Sequence, residues 1–109
     1  MAEKKTFTIE ANYYVEPGNI AIELIEDGEP YCLITVNPNR KLKENQFVFD
    51  INNGRTLFES FIEQGYAKIV GSWQSGYVIY PVCEMTEKFK RLLETPGSTI
   101  ALEEQMPQF

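Results

Sequence analysis

Residues 16–36 read EPGNIAIELIEDGEPYCLITV, and this stretch decides the fold class. Apolar residues occupy every second position in residues 20–24 and again in residues 32–36, which is the period of a strand with one buried face. Asp27 and Gly28 separate the two segments, and this pair favours the tight turn of a β-hairpin. Pro17 and Gly18 form a second turn signal before the first segment. The stretch therefore predicts two antiparallel strands, each preceded by a turn.

The segments on either side add further strands. Residues 6–15 (TFTIEANYYV) alternate with a period of two and complete an antiparallel meander with the two strands above. Residues 46–51 (QFVFDI), 66–74 and 77–85 predict three more strands, the last two joined by a turn at residues 74–76. Gly71 is expected to mark a bulge. Residues 40–43 (RKLK) are expected to lie on a solvated loop.

Two segments change to a helical period. Residues 56–64 are expected to form a helix that buries Phe58, Phe61 and Ile62, with Asn52 or Asn53 as its N-cap and Gly65 at its end. Residues 87–94 (EKFKRLLE) follow Thr86, which is expected to cap a second helix.

These elements predict an α+β fold in the order β-β-β-β-α-β-β-α. We expect one mostly antiparallel sheet of five to six strands with the helices packed on one face. Residues 1–109 are expected to form a single globular domain, because the chain is too short to bury two cores. Residues 96–109 begin with Pro-Gly and are expected to form a C-terminal tail, of which Ile100, Ala101 and Leu102 could dock on the fold.

Composition narrows the function classes. The net charge of −6 disfavours nucleic acid as a partner, since affinity for phosphates comes from lysine and arginine. No apolar run approaches the length of a membrane span, and the N-terminus has no secretory signal pattern, so a cytoplasmic protein without membrane contact is expected. The chain contains no histidine. Cys32 and Cys83 are expected to be buried, reduced thiols, and no metal or cofactor is expected.

The segment SGYVIYP, residues 75–81, is the first candidate site. Trp73 and Tyr77 flank its turn and Tyr80 follows, so rigid aromatic side chains with polar tips gather near one hairpin tip, as binding surfaces favour. Cross-strand packing of these rings is the competing structural interpretation. Pro81 cannot donate to a ladder and is expected at an edge or a bulge.

The middle of the chain resembles a family of small uncharacterised proteins carried on plasmids and conjugative elements of Gram-positive bacteria. The resemblance covers about residues 32–85. It rests on five short motifs, which are TVN at 35–37, LKEN at 42–45, DINN at 50–53, EQG at 63–65 and SGYVIYP at 75–81. It implies a mobile-element origin and no particular activity.

An acidic cluster surrounds the second turn and is the second candidate site. Its members are Glu23, Glu26, Asp27 and Glu29. With the mobile-element context that the resemblance implies, the cluster suggests an inhibitor that imitates the charge of DNA and blocks a host defence nuclease, of the anti-CRISPR or anti-restriction type. A solvated turn is the simpler interpretation.

Catalysis has one candidate, Asp50, which ends a predicted strand beside Asn52 and Asn53 and could take part in a carboxylate-dependent reaction. Turn formation and helix capping explain the same residue. Exposed tyrosines on a sheet would also suit single-stranded nucleic acid, although the charge opposes it. The leading hypothesis is a non-enzymatic module whose partner is another protein, bound on the aromatic hairpin or the acidic turn.

Overall fold

A computed structural model describes residues 2–105 of the chain. These residues form eight strands, two α-helices and one short 3-10 helix. The strands are β1 (Ala2–Tyr13), β2 (Ile20–Glu26), β3 (Glu29–Leu33), β4 (Thr35–Val36), β5 (Gln46–Phe49), β6 (Ala67–Ser75), β7 (Val78–Met85) and β8 (Thr99–Gln105). The 3-10 helix spans Ile51–Asn53, and the α-helices are α1 (Arg55–Glu63) and α2 (Glu87–Glu94).

The fold is α+β and antiparallel, as predicted, but the strands form two sheets instead of one. The first sheet has the order β3-β2-β1-β8 and the second the order β4-β5-β7-β6. The meander of β1, β2 and β3 is confirmed. Its second turn has Asp27 and Gly28 at φ +52° and +81°, the left-handed pair that a tight hairpin turn requires.

The division into two sheets takes place at Ile34. Residues 31–36 were expected to form one strand, but β3 ends at Leu33 and β4 begins at Thr35. The Ile34 N–H donates to the carbonyl oxygen of Ile22 in the first sheet at 2.9 Å, and its carbonyl accepts from the Asp50 N–H at the end of β5 at 2.7 Å. A single buried residue therefore pairs with both sheets, and the strand changes sheet there.

Residues 99–105, near the C-terminus, form strand β8. Strand β8 pairs with β1 and buries Ile100 and Leu102. Two side chains, from α1 and from its C-cap residue, bond the other edge of β8: the Gln64 amide donates to the carbonyl oxygen of Ala101 at 2.6 Å, and the Ser60 hydroxyl accepts from the Glu103 N–H at 3.0 Å. Residues 100–102 dock, as the sequence allowed, but they do so within a strand that continues to Gln105, so the predicted tail is wrong for residues 103–105. Residues 106–109 of that tail lie outside the described part of the chain.

The main core lies between the two sheets. Helix α1 packs against β8 and β6, and α2 packs against β1 and β7, so each helix contacts both sheets instead of covering one face of a single sheet. Phe61 is fully buried, and its ring centroid lies 5.4 Å from that of Phe49 and 5.1 Å from that of Phe89. Phe58 is buried as predicted, whereas Ile62 is half-buried.

Helix α1 begins differently from the prediction. Neither Asn52 nor Asn53 is its N-cap, because Gly54 takes that position at φ +117°. The Asp50 carboxylate accepts from the Asn52 N–H at 3.0 Å and caps the preceding 3-10 helix. Gly65 follows the helix at φ +80°, as predicted. Thr86 occupies the N-cap position of α2, as predicted, but its hydroxyl forms no hydrogen bond with the helix. The hydroxyl donates instead to the carbonyl oxygens of Gly65 and Tyr66.

The basic loop, residues 40–43, precedes β5. It covers the face of the second sheet that points away from the main core. Leu42, which lies between the exposed Lys41 and Lys43, is buried in a small cluster with Val48 and Val82. The charged residues Arg40, Lys41 and Lys43 were expected to lie on a solvated loop. Its cationic side chains are exposed, but its leucine fills the space above the sheet.

Asn19 holds this loop in place. Its buried side-chain amide donates to the Arg40 carbonyl oxygen at 2.9 Å and accepts from the Leu42 N–H at 2.8 Å. Both loop groups would lose their partner if the amide were removed, and an unpaired buried polar group is costly. The sequence analysis did not single out this residue.

We predict that Asn19→Ala lowers the free energy of unfolding by about 1–3 kcal/mol, because it leaves the Leu42 N–H and the Arg40 carbonyl unpaired. Urea denaturation followed by circular dichroism measures the change. Asn39→Ala is the matched control, since Asn39 is exposed in the same loop and should change stability by less than about 0.5 kcal/mol. Equal effects of the two variants would contradict the role assigned to Asn19.

Candidate functional site

Strands β6 and β7 of the second sheet form a hairpin whose tip extends past the end of the neighbouring strand β5. Strand β7 pairs with β6 from Met85 to Val78, but its pairing with β5 ends at Val82. From Pro81 to the turn, the hairpin is therefore a two-stranded ribbon with no third strand. The Met85 N–H bonds Asn45 on the β5 side of β7, so strand alternation turns the nitrogen of Pro81 to the same side. Strand β7 has no partner there at Pro81, so the missing N–H costs no ladder bond. Strand β7 is an inner strand of the sheet, but at Pro81 it has a free edge, as expected for this residue.

One face of the ribbon is packed. The rings of Trp73 and Tyr80 lie opposite each other in the ladder with centroids 5.6 Å apart, and both are half-buried against the Leu42 cluster. The Asn52 side-chain amide donates to the Tyr80 hydroxyl at 3.1 Å. Trp73 and Tyr77 were expected to lie together at the hairpin tip, but the ring that Trp73 contacts is that of Tyr80.

The other face of the ribbon is open. Ile69 and Ile79 are exposed by 54% and 59%, and with Pro81 they face the start of α1 across a groove of about 330 Å³. The groove is lined by Ile51, Arg55, Phe58, Ile69, Gly71, Ser72, Ile79, Tyr80 and Pro81. Val70 is also exposed, because the ladder shifts register between Ile69 and Gly71. The bulge predicted near Gly71 is thus confirmed.

Tyr77 occupies the tip of the hairpin. Its side chain is fully exposed, and Gly76 beside it adopts φ +62°. The Gln74 side-chain amide donates to the Gly76 carbonyl oxygen at 3.1 Å and closes the turn. The tip therefore presents a phenol ring on a backbone that its own turn holds in place.

Besides its aromatic residues, the sequence contains a second indication of this surface, which is a long run without charged residues. Residues 69–83 contain no charged side chain, in a chain of which 24% is charged. Lys68 and Glu84 close the run at its two ends and form an ion pair at 3.9 Å. Exposed residues without charge are typical of the centre of a protein interface. Ile69, Val70 and Ile79 belong to this run and were not named as candidates.

The acidic cluster lies in the other sheet, on the hairpin of β2 and β3. Asp27 and Glu29 are exposed, Glu26 forms an ion pair with Lys5 at 3.8 Å, and Glu23 lies opposite Leu33 in the ladder. The two candidate surfaces therefore belong to different hairpins, and the lysine reduces the charge of the acidic one.

A larger open groove has a mixed charge. It has a volume of about 1070 Å³ and lies between the turn before β2, the basic loop and α2. Lys41, Lys43 and Lys90 line it together with Glu44 and Glu94. The Lys41 ammonium donates to the Gly18 carbonyl oxygen at 2.7 Å, and that of Lys90 pairs with Glu87 at 2.9 Å. Two of the three lysines therefore already have a partner. The lining of the groove favours neither anionic nor cationic ligands.

The described residues offer little for catalysis or metal binding. Within residues 2–105, no group of three carboxylate or thiol side chains is arranged to hold a metal ion. Asp50 is engaged as a cap. Cys83 is buried as predicted, whereas Cys32 is only half-buried, and both thiols are free. The pKa of each thiol is raised to about 12; burial is the main cause at both, and at Cys32 nearby carboxylates, that of Glu104 first, are part of the shift.

We predict slow thiol labelling in the native protein at pH 8 and complete labelling in urea, because the thiolate is the reactive form. Stability should also fall as pH rises from 9 towards 12. The ordinary thiol pKa is 9.0 and the folded value is about 12, so the unfolded chain ionises first and the stabilising difference is lost as the pH approaches the folded pKa. Burial also raises the pKa of Tyr31 and Tyr66, which act in the same direction.

Urea titrations at several pH values measure this dependence. A variant with both Cys32→Ala and Cys83→Ala should show a shallower decline above pH 9 than the unmodified chain. Rapid labelling of the native protein at pH 8 would contradict the burial of the thiols.

No helix within residues 2–105 is both long enough and apolar enough to cross a membrane. Comparison of the chain with protein-family models, with curated proteins and with solved structures found no match. The resemblance to the mobile-element family therefore stays a prediction.

Proposed function

We propose that this chain is a non-enzymatic protein-interaction module and that the β6–β7 hairpin is its contact surface. The observation that carries the proposal is the position of the exposed apolar side chains. Seven large apolar side chains of the described residues are exposed, and four of them lie on this one hairpin. The four are Ile69, Val70, Tyr77 and Ile79.

The hairpin suits a contact surface because it is held in shape before binding. The tilted ring pair of Trp73 and Tyr80 packs one face of the ribbon against the sheet. A partner would therefore meet apolar side chains on an ordered backbone, and less conformational entropy would be lost on association. Trp73 and Tyr80 act in this proposal as the support of the surface, and Tyr77 as a direct contact.

The alternatives have weaker support. An acidic inhibitor of a defence nuclease would act through Glu23, Glu26, Asp27 and Glu29, but the pairing of Glu26 with Lys5 and the basic loop dilute the negative field. A carboxylate-dependent enzyme would require Asp50, which is engaged in capping. A mobile-element origin and a cytoplasmic setting belong to the same proposal, and they suggest that the partner is a host protein.

We predict that Tyr77→Ser combined with Ile79→Ser abolishes capture of the partner by the immobilised chain while thermal unfolding stays nearly unchanged. Both residues are exposed, and exposed substitutions cost little stability. The measurement is affinity capture from a cell extract of a Gram-positive host, with quantitative mass spectrometry of the bound proteins.

Tyr13→Ser combined with Val15→Ser is the matched control. It removes one exposed aromatic and one exposed aliphatic side chain from the end of β1 and the residues after it, away from the hairpin. A partner that both variants capture equally would contradict the proposal. A partner lost only when Asp27→Asn and Glu29→Gln are introduced would favour the acidic inhibitor instead.

A further inference from the structure

We propose that the outer edge of β6 binds an extended segment of the partner protein as an added strand, with an apolar side chain in the groove beside α1 and a carboxylate against Arg55. This inference rests on the proposed function and specifies the chemistry of its partner.

The first argument is the state of the sheet edges. Strand β6 is nine residues long, is the outermost strand of the second sheet, and pairs only with β7 among the described residues. Strand β4 has two residues, and β3 has five, one of them Pro30. An outer strand presents unpaired N–H and C=O groups that can pair with another chain. Of the outer strands, β6 therefore offers the longest template.

The other long outer strand, β8, differs from β6 in the state of its edge. Strand β8 is also outermost, but Gln64 bonds the Ala101 carbonyl and Ser60 bonds the Glu103 N–H, so side chains of α1 and of its C-cap residue occupy the edge of β8. Within the described residues, no side chain forms an equivalent bond to the outer edge of β6. The protein protects one long edge and leaves the other available, apart from the bulge at Val70.

The second argument is the chemistry of the groove. Its lining contains one charged residue, Arg55, at the start of α1. Arg55 is an exposed residue, and its guanidinium makes no ion pair within residues 2–105. Apolar side chains of Ile51, Phe58 and Ile79 line the rest of the space. Such a groove is complementary to an apolar side chain with a carboxylate close by.

A second copy of this chain fits the edge less well. Strand β6 has the sequence AKIVGSWQS and carries no Asp or Glu, so a β6-to-β6 pair would bring no carboxylate to Arg55. Each copy also has a net charge of −6, and two copies repel each other at long range. A segment of another protein is therefore the better occupant.

Selection from a displayed library of random twelve-residue peptides tests the proposal. Against the unmodified chain, the enriched peptides should show apolar residues at every second position and one Asp or Glu at a fixed position. Against Arg55→Glu, the acidic preference should change to Lys or Arg. This variant should fold, since a glutamate in the first turn of a helix is favourable. The matched control, Arg40→Glu, reverses an exposed charge outside the groove and should leave the selection unchanged.

Backbone methylation separates strand addition from groove binding. In a synthetic copy of the selected peptide, N-methylation at every second amide should weaken binding roughly tenfold or more, because only alternate N–H groups of an added strand face β6. Methylation of the intervening amides should have little effect. Fluorescence anisotropy with a labelled peptide measures both series.

Three results would overturn the inference. They are no enriched peptide, methylation effects without a period of two, or a dimer in analytical ultracentrifugation that Val70→Pro dissociates while the protein stays folded. If capture of the cellular partner still depends on Tyr77 and Ile79, the interaction module stands and only strand addition is rejected. If that capture is lost as well, both proposals fail.

Discussion

The peptide groups of Ile34 bond to both sheets at once, and the rest of the fold depends on this arrangement. The residue is fully buried, so leaving either its N–H or its carbonyl unpaired would cost about 1–3 kcal/mol. The N–H pairs with Ile22 of the first sheet and the carbonyl with Asp50 at the end of β5. The Thr35 hydroxyl accepts from the Ile22 N–H and supports the same junction. Helix α1 also links the two sheets, because it packs against β8 of the first sheet and β6 of the second.

This junction also explains which parts of the fold could be predicted. Hairpins depend on local turn chemistry, and Asp27 with Gly28 specified one of them correctly. The change of sheet at Ile34 has no such local signal, because its neighbours Leu33 and Thr35 are ordinary strand residues. Strand β8 was missed for a similar reason: its edge is bonded by Ser60 and Gln64, which are about 40 residues away along the chain.

The candidate site was predictable in part. Aromatic residues pointed to Trp73, Tyr77 and Tyr80, and all three lie on the hairpin. Alternation alone would assign Ile79 to the buried face of a strand. It is exposed because the β5–β7 ladder stops at Val82, and the length of a neighbouring strand cannot be read from the sequence of β7. The run without charges was visible in the sequence and is the better indicator of this surface.

An isolated two-stranded ribbon is at best marginally stable in water, so this one needs support from the rest of the fold. Its support is on one face only, where the rings of Trp73 and Tyr80 contact each other and pack against the cluster of Leu42, Val48 and Val82. That cluster depends in turn on the basic loop, which Asn19 holds through the Leu42 N–H. Since the packed face holds the ribbon, the apolar side chains of the open face are not needed for folding. Exposed apolar side chains that do not support the fold are a solubility cost, and binding a partner is a physical reason for a protein to keep them.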